Sequence, residues 1–288
     1  MDYLKKGLSS TISSIQKHKV LFGAIVLVQV VFLVLFLFLA IFYQVKIVSN
    51  AKGIIDPLQS ANYDADSIEQ GKPFSDDLTS IFDSYQAMIK NIRNFVFLAL
   101  LLFVFFNGAL WISTHWLLEE RKTSWKQRIR LSLKMWLKFL AAIAVFVLPF
   151  FMVAYYFLVF LLRWEISLTG YLTSLKVVAA LSVIFYYFSI AAFALINYGS
   201  WKSFLSNLFK SSIKKVHRSL LVLIINLSLF SLSIYLIYLS VIFEASLFLL
   251  LILGFLFTVI LVLTRIFWVA SLNEVIRKKV IPHENNNN

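Results

Sequence analysis

The chain has 288 residues, 60% of them hydrophobic and only 14% charged, with a mean hydropathy of +0.84. Soluble domains carry about 45–50% apolar and about 25% charged residues, so this composition excludes an ordinary soluble enzyme or binding module. The formal charge of +13 would suit nucleic acid if it lay on a soluble face. The basic residues instead sit in short segments between apolar runs, where they act as a topology signal and attract anionic lipid headgroups. No nucleic-acid partner is expected. Cysteine is absent, which removes disulfides, thiol nucleophiles and thiolate metal ligands.

The N-terminal tail carries Lys5, Lys6, Lys17 and Lys19, with Leu4, Leu8, Ile12 and Ile15 on one helical face behind Tyr3. Apolar residues at that spacing beside lysines predict an amphipathic helix in the headgroup plane. An apolar run over 20–43 follows. It is too long for a signal-peptide core and lacks a small-residue cleavage site, so it is read as a retained span. Being almost entirely bulky, it is expected to face lipid.

Residues 49–93 then form the longest polar stretch, rich in aspartate, and are read as an extracytoplasmic loop. Asp56-Pro57 and the stretch from Asn62 to Glu69 read as turns and irregular chain. Beyond Gly71-Lys72-Pro73, Ser75 is placed to cap a helix that opens with Asp76 and Asp77. Leu78, Ile81, Phe82, Tyr85, Met88, Ile89 and Ile92 form an apolar stripe on that helix. It needs a cover, from the first span or from a partner protein, and should run straight into the second span.

Five further runs each reach the roughly 20 residues needed to cross a bilayer: 95–118, 137–162, 175–197, 220–243 and 245–268. They are continuous rather than alternating, so helices are predicted and not a barrel. Pro149 should kink the third. Lys138, Lys176 and Arg265 lie near span ends, where long side chains can snorkel. Small residues of the fourth span (Ala179, Ala180, Ser182, Ser189, Ala191, Ala192) and Gly254-x-x-x-Thr258 in the sixth predict close helix packing. The tail over 280–288, ending in four asparagines, reads as disordered.

Most of the 27 basic residues fall in the N-terminal tail, between spans two and three, between spans four and five, and around the C-terminus. With six spans all four regions share one side, which predicts cytoplasmic N- and C-termini in a cell membrane. The second and third of these regions begin at Trp125 and Trp201, about 76 residues apart. Removing the outer loop leaves about the same distance from Tyr3 to Trp125. The fold class predicted is an all-α, polytopic membrane bundle of six helices. It is read as a threefold repeat of a basic interfacial helix followed by a transmembrane hairpin.

Ionisable residues inside a membrane are functional candidates by default, and every Asp and Glu here lies in a loop, in a tail or at a span end. Neutral polar residues do occur at depth. Gln29 lies in the first span, Asn107 in the second, and Asn226, Ser233 and Ser240 share a face of the fifth. With Arg265, next to an aromatic interface signature, Gln29, Asn107, Asn226 and Ser233 are the candidate intramembrane polar or headgroup-contacting residues. Interhelical hydrogen bonding is the bland reading and a substrate path the sharp one. His115 with Glu119 and Glu120 is the set an interfacial lipid-modifying enzyme would use. No histidine pair has metal-ligand spacing, and neither metal nor cofactor is expected.

In layout, the stretch Trp201-Lys202-Ser203-Phe204 through Lys214-Lys215-Val216-His217-Arg218 leading into a span resembles a loose group of prokaryotic six-span proteins. That group includes the membrane domain fused to some glycerophosphodiester phosphodiesterases. The resemblance covers most of the chain without a diagnostic residue. It implies a membrane domain and, with no catalytic domain in the sequence, no phosphodiesterase activity. A non-enzymatic scaffold, accessory subunit or lipid-organising component is the preferred reading. A transporter or channel subunit and a lipid-modifying enzyme are the alternatives.

Overall fold

The structure, a computed structural model, describes residues 2–60, 78–119, 124–153, 168–197, 199–244 and 246–276. The proposed Ser75 cap, the end of the third span, Glu120 and the C-terminal tail lie outside these residues. Among the described residues the chain is all α-helical: α1 (Asp2–Lys17), α2 (Lys19–Ser60), α3 (Leu78–Leu118), α4 (Trp125–Val153), α5 (Leu168–Phe193), α6 (Trp201–Phe209), α7 (Val216–Ile242) and α8 (Leu247–Ile276). Six of them, α2 to α5, α7 and α8, are long and apolar enough to cross a membrane. The protein is a multi-pass, all-α membrane protein.

Basic helices occur where the sequence placed them. The two later ones start alike. Ser124 accepts from the backbone N–H of Gln127 and closes a capping box with it, and Ser200 accepts from that of Ser203. Each serine precedes Trp-Lys, and its side chain satisfies a backbone donor the first turn leaves orphaned. The second basic helix is not a separate element. α4 continues from Trp125 into the span without a break.

Pro149 does not break α4. A π-helical turn over Ile143–Val147 precedes it, and the N–H of Leu148 bonds the carbonyl of Ile143. The wider turn absorbs the missing donor of the proline upstream of it. A second π turn, Lys210–Lys214, joins α6 to α7. Glu244, at φ 50°, turns the chain tightly from α7 into α8.

Several expectations are corrected. Asp56-Pro57 is helical, because α2 runs on to Ser60. Pro57 has no N–H to give the carbonyl of Gly53, and α2 carries that missing bond for its final turn. Gly254 does not seat a neighbouring helix. A Cβ there would meet nothing within 4 Å among the described residues, and Thr258 bonds back to its carbonyl at 2.9 Å. Of the small residues of α5, Ala179 and Ala180 are exposed, and only Ser189, Ala191 and Ala192 are buried. Half of the first span over 20–43 is exposed and most of the rest is half-buried, with Ile25, Val26, Gln29 and Tyr43 buried.

The chain divides into two compact units, one of residues 1–27 and 108–288 and one of residues 28–107. In the larger unit, burial concentrates at one end of the helices. Leu110 to Leu117, Met135 to Ile143, Tyr187 to Ile196 and Val262 to Ile276 supply its core. The opposite ends, such as Phe151 and Met152 of α4 and Leu247 and Phe248 of α8, are exposed. In the smaller unit α2 and α3 run antiparallel. Tyr43 meets Phe95 at 5.9 Å and Phe32 meets Phe106 at 5.6 Å, ring to ring.

Candidate functional site

Hydroxyls in a span have two choices of partner, their own helix or a neighbour. Most here take the first. Thr114, Ser182, Ser189, Ser233, Ser240, Thr258 and Thr264 each donate to the carbonyl four residues earlier at 2.7–2.9 Å. Such back-bonding satisfies the group locally and leaves little for a ligand or an adjacent helix. Ser233 and Ser240, placed on a polar face by the sequence, are of this kind.

Cross-helix polar contacts gather at the packed end of the larger unit. There α5 ends at Phe193, and carbonyls of its last turn and of the turn that follows are left without intrahelical N–H donors, although that of Ile190 still accepts from Ala194 N–H at 3.0 Å. Three donors from other helices reach them. Trp268 Nε1 of α8 donates to the Ile190 carbonyl at 3.0 Å, and His115 Nε2 of α3 lies 3.2 Å from that of Phe193. Lys138 Nζ of α4 reaches those of Ile196 at 3.3 Å and Gly199 at 3.4 Å. All three side chains are buried. A cation at a helix C-terminus also meets the negative end of the helix dipole. Lys138 therefore does not snorkel. It is turned inward because the orphan carbonyls of α5 are within its reach.

A second cluster surrounds the π turn Lys210–Lys214. Ser219 Oγ of α7 donates to the Ser211 carbonyl at 2.8 Å. Tyr187 OH of α5 donates to the Ser212 carbonyl at 3.2 Å and lies 2.7 Å from Ser219 Oγ. Ser219 extends the polar face of α7 one heptad before Asn226. The side-chain oxygens of Ser212, Asn226 and Ser271 are buried with no hydrogen-bond partner among the described residues. Replacing Tyr187 by phenylalanine should lower stability by about 1 kcal/mol. Thermal unfolding in detergent measures it. Ser219→Ala should cost less in that background than alone, and strictly additive losses would show that the pair is not coupled.

Beside this cluster, Lys210 Nζ donates to the Ile276 carbonyl at 3.1 Å, and Lys215 Nζ to that of Val275. The end of α8 is thus capped by lysines from the α6–α7 connection. Burial, together with the neighbouring charges of Lys210 and Arg218, holds Lys215 below the usual lysine range. Arg218 lies over the Tyr3 ring at 5.8 Å, bringing α1 to the same place.

The sequence-named candidates of the larger unit do not form a single set. Asn226 and Ser233 lie two turns apart on α7, both buried. Arg265 is half-buried, over the Trp111 ring at 5.6 Å. Gln29 and Asn107 belong to the other unit, the first buried and the second half-buried. His115 is joined to the backbone of α5, which gives it a structural partner. Among the described residues, no three of His, Asp and Glu are grouped to hold a metal ion. The residues that tie the helices together, Lys138, Trp268, Tyr187 and Ser219, were not among the candidates. The one available signal was a lysine, Lys138, one residue inside a predicted span.

Compared with known proteins, the chain matches no family model, no curated protein and no solved structure.

Proposed function

We propose that the protein is a non-enzymatic component of a cell membrane, a scaffold, accessory subunit or lipid-organising protein, with both termini in the cytoplasm. The observation that carries this reading is how its polar groups are used. Most of the span hydroxyls described bond within their own helices, Tyr187 and Ser219 bond across to the π turn, and the buried donors His115, Lys138 and Trp268 are spent on backbone carbonyls. The basic helices, by contrast, leave apolar stripes uncovered. Leu8 and Ile12 of α1, Trp125 and Ile129 of α4, and Trp201 and Leu205 of α6 are each about half exposed or more. Exposed apolar rows beside Lys and Arg suit a headgroup interface containing anionic lipid. Its resemblance in layout to prokaryotic six-span membrane domains supports the same role.

Native mass spectrometry of the detergent-extracted protein tests it. Anionic lipids should be retained over zwitterionic ones. Glutamine at Lys5, Lys6, Lys126, Arg130, Lys202 and Lys214, all exposed, should abolish that preference at about 1 kcal/mol per residue. Equal retention of both lipid classes by the unaltered protein would overturn the reading. Topology is tested separately. A tag near Asp64 should be accessible from outside intact cells and one near Lys210 should not. Reversed accessibility would invert the orientation. The outer helix α3 is also the proposed docking place of a protein partner.

A further inference from the structure

Both helices of the smaller unit outrun a bilayer. α2 has 42 residues and α3 has 41, about 60 Å each at 1.5 Å per residue, against about 30 Å of hydrocarbon. Lys46, Lys52 and Asp56 on α2 and Asp83, Lys90 and Arg93 on α3 mark the portion that stands in water. There the two helices pack on each other. A Cβ on Gly53 would lie 2.7 Å from Ser84 Oγ, so the glycine is what lets α3 approach. Ile81, Ser84, Met88, Asn91 and Phe95 are partly covered on that side.

The apolar stripe of α3 is wider than this cover. Phe82, Tyr85, Ile89, Ile92 and Val96 remain 57%, 51%, 45%, 38% and 55% exposed. Their steps of three, four, three and four residues are those of a coiled-coil seam. By 100° per residue the seam is centred about 100° round the helix from the side facing α2. That is the position of a second neighbour in a helical bundle. Lipid does not cover Phe82 to Ile92, because α3 is one continuous helix of 41 residues, about 60 Å long, and this part of it stands beyond the roughly 30 Å hydrocarbon core. An exposed apolar row of this length in water is an interaction site.

We propose that the occupant is α3 of a second copy of this chain, in a parallel pair. Membrane anchoring carries two copies at the same height and in the same direction, which is the register a parallel seam requires. The flanking positions that face each other across such a pair are Ile81 with Gln86, and Met88 with Arg93. No like charges meet there, and no flanking ion pair selects a different helix. Two heptads are marginal for a free coiled coil. Confinement to a membrane raises the effective concentration that offsets this. The inference rests on the partner reading of α3 given above and commits it to self-association. Lipid retention would be unaffected by its failure.

The chain has no cysteine, so single cysteines report directly. In native membranes under mild oxidation, Tyr85→Cys, Ile89→Cys and Ile92→Cys should each give a disulfide-linked dimer. Asp83→Cys and Lys90→Cys, on another face, should remain monomeric. Ile89→Asp with Ile92→Asp, inserted at wild-type level, should change single-molecule photobleaching from two steps to one. Cross-linking of equal yield around the helix would overturn the proposal. So would seam thiols shielded from maleimide without forming disulfides, because a different protein would then cover them.

Discussion

Replacing Gly7 by valine is expected to detach α1 from α8. Gly7 and Thr11 are the buried positions of α1, and a Cβ on Gly7 would overlap Ser271 Oγ and come within 3.0 Å of the Ser271 Cα. The latter is helical backbone in the C-terminal part of α8, less able to shift than a side chain, so the added methyls push α1 away. Overpacking of this kind costs about 1–3 kcal/mol, comparable with what a 16-residue helix gains from docking along one face. Limited proteolysis at Lys5, Lys6 and Lys17 should accelerate and the unfolding temperature in detergent should fall. Gly7→Ala should show a smaller effect. Leu8→Ala, at a residue 53% exposed on the chain's surface, should leave the docking intact. A Gly7→Val protein cut no faster than wild type would show that α1 is not held by this contact.

Lys138→Met should destabilise the larger unit by about 2 kcal/mol, the scale of hydrogen bonds made by a charged group. Methionine keeps the stem that packs in the core but removes the donor from the Ile196 and Gly199 carbonyls. It also removes the cation lying 5.8 Å from the Phe204 ring centroid. Hydrogen exchange over 194–199 should rise most, because that turn is what the lysine holds. Lys134→Met, one turn earlier and exposed, serves as the control. Equal stability of the two variants would remove Lys138 from the capping role. The prediction opposes ordinary snorkelling, under which Lys138 and Lys134 would behave alike.

Both predictions concern residues whose sequence context pointed elsewhere. Lys138 reads as a flanking charge at the start of a span, and a lysine there usually reaches for the headgroups. What turns it inward is the end of α5, some sixty positions later, presenting carbonyls without partners. Gly7 reads as one unremarkable residue among serines and lysines. Its importance comes from α8, more than two hundred positions away. Conversely, Gly254-x-x-x-Thr258 matched a packing motif, yet only Thr258 is buried, and a Cβ on Gly254 would meet nothing within 4 Å among the described residues. Small residues permit close approach, but a second helix must also be there. The polar face of α7 was legible from spacing alone, whereas its chemistry was not. Only the tertiary structure distinguishes Ser233, bonded to its own helix, from Ser219, bonded across to the π turn and to Tyr187.

Six spans, the basic helices before three of them and the apolar stripe of α3 follow from the amino-acid sequence by itself. Hydrophobic length, charge position and periodicity are properties of a segment, and a bilayer reads them one segment at a time. The tertiary structure decided which polar groups are spent on carbonyls, where glycine admits another helix and which side of α3 stays open. Each of these depends on what a distant segment presents at a distance of about 3 Å. Local sequence does not encode that.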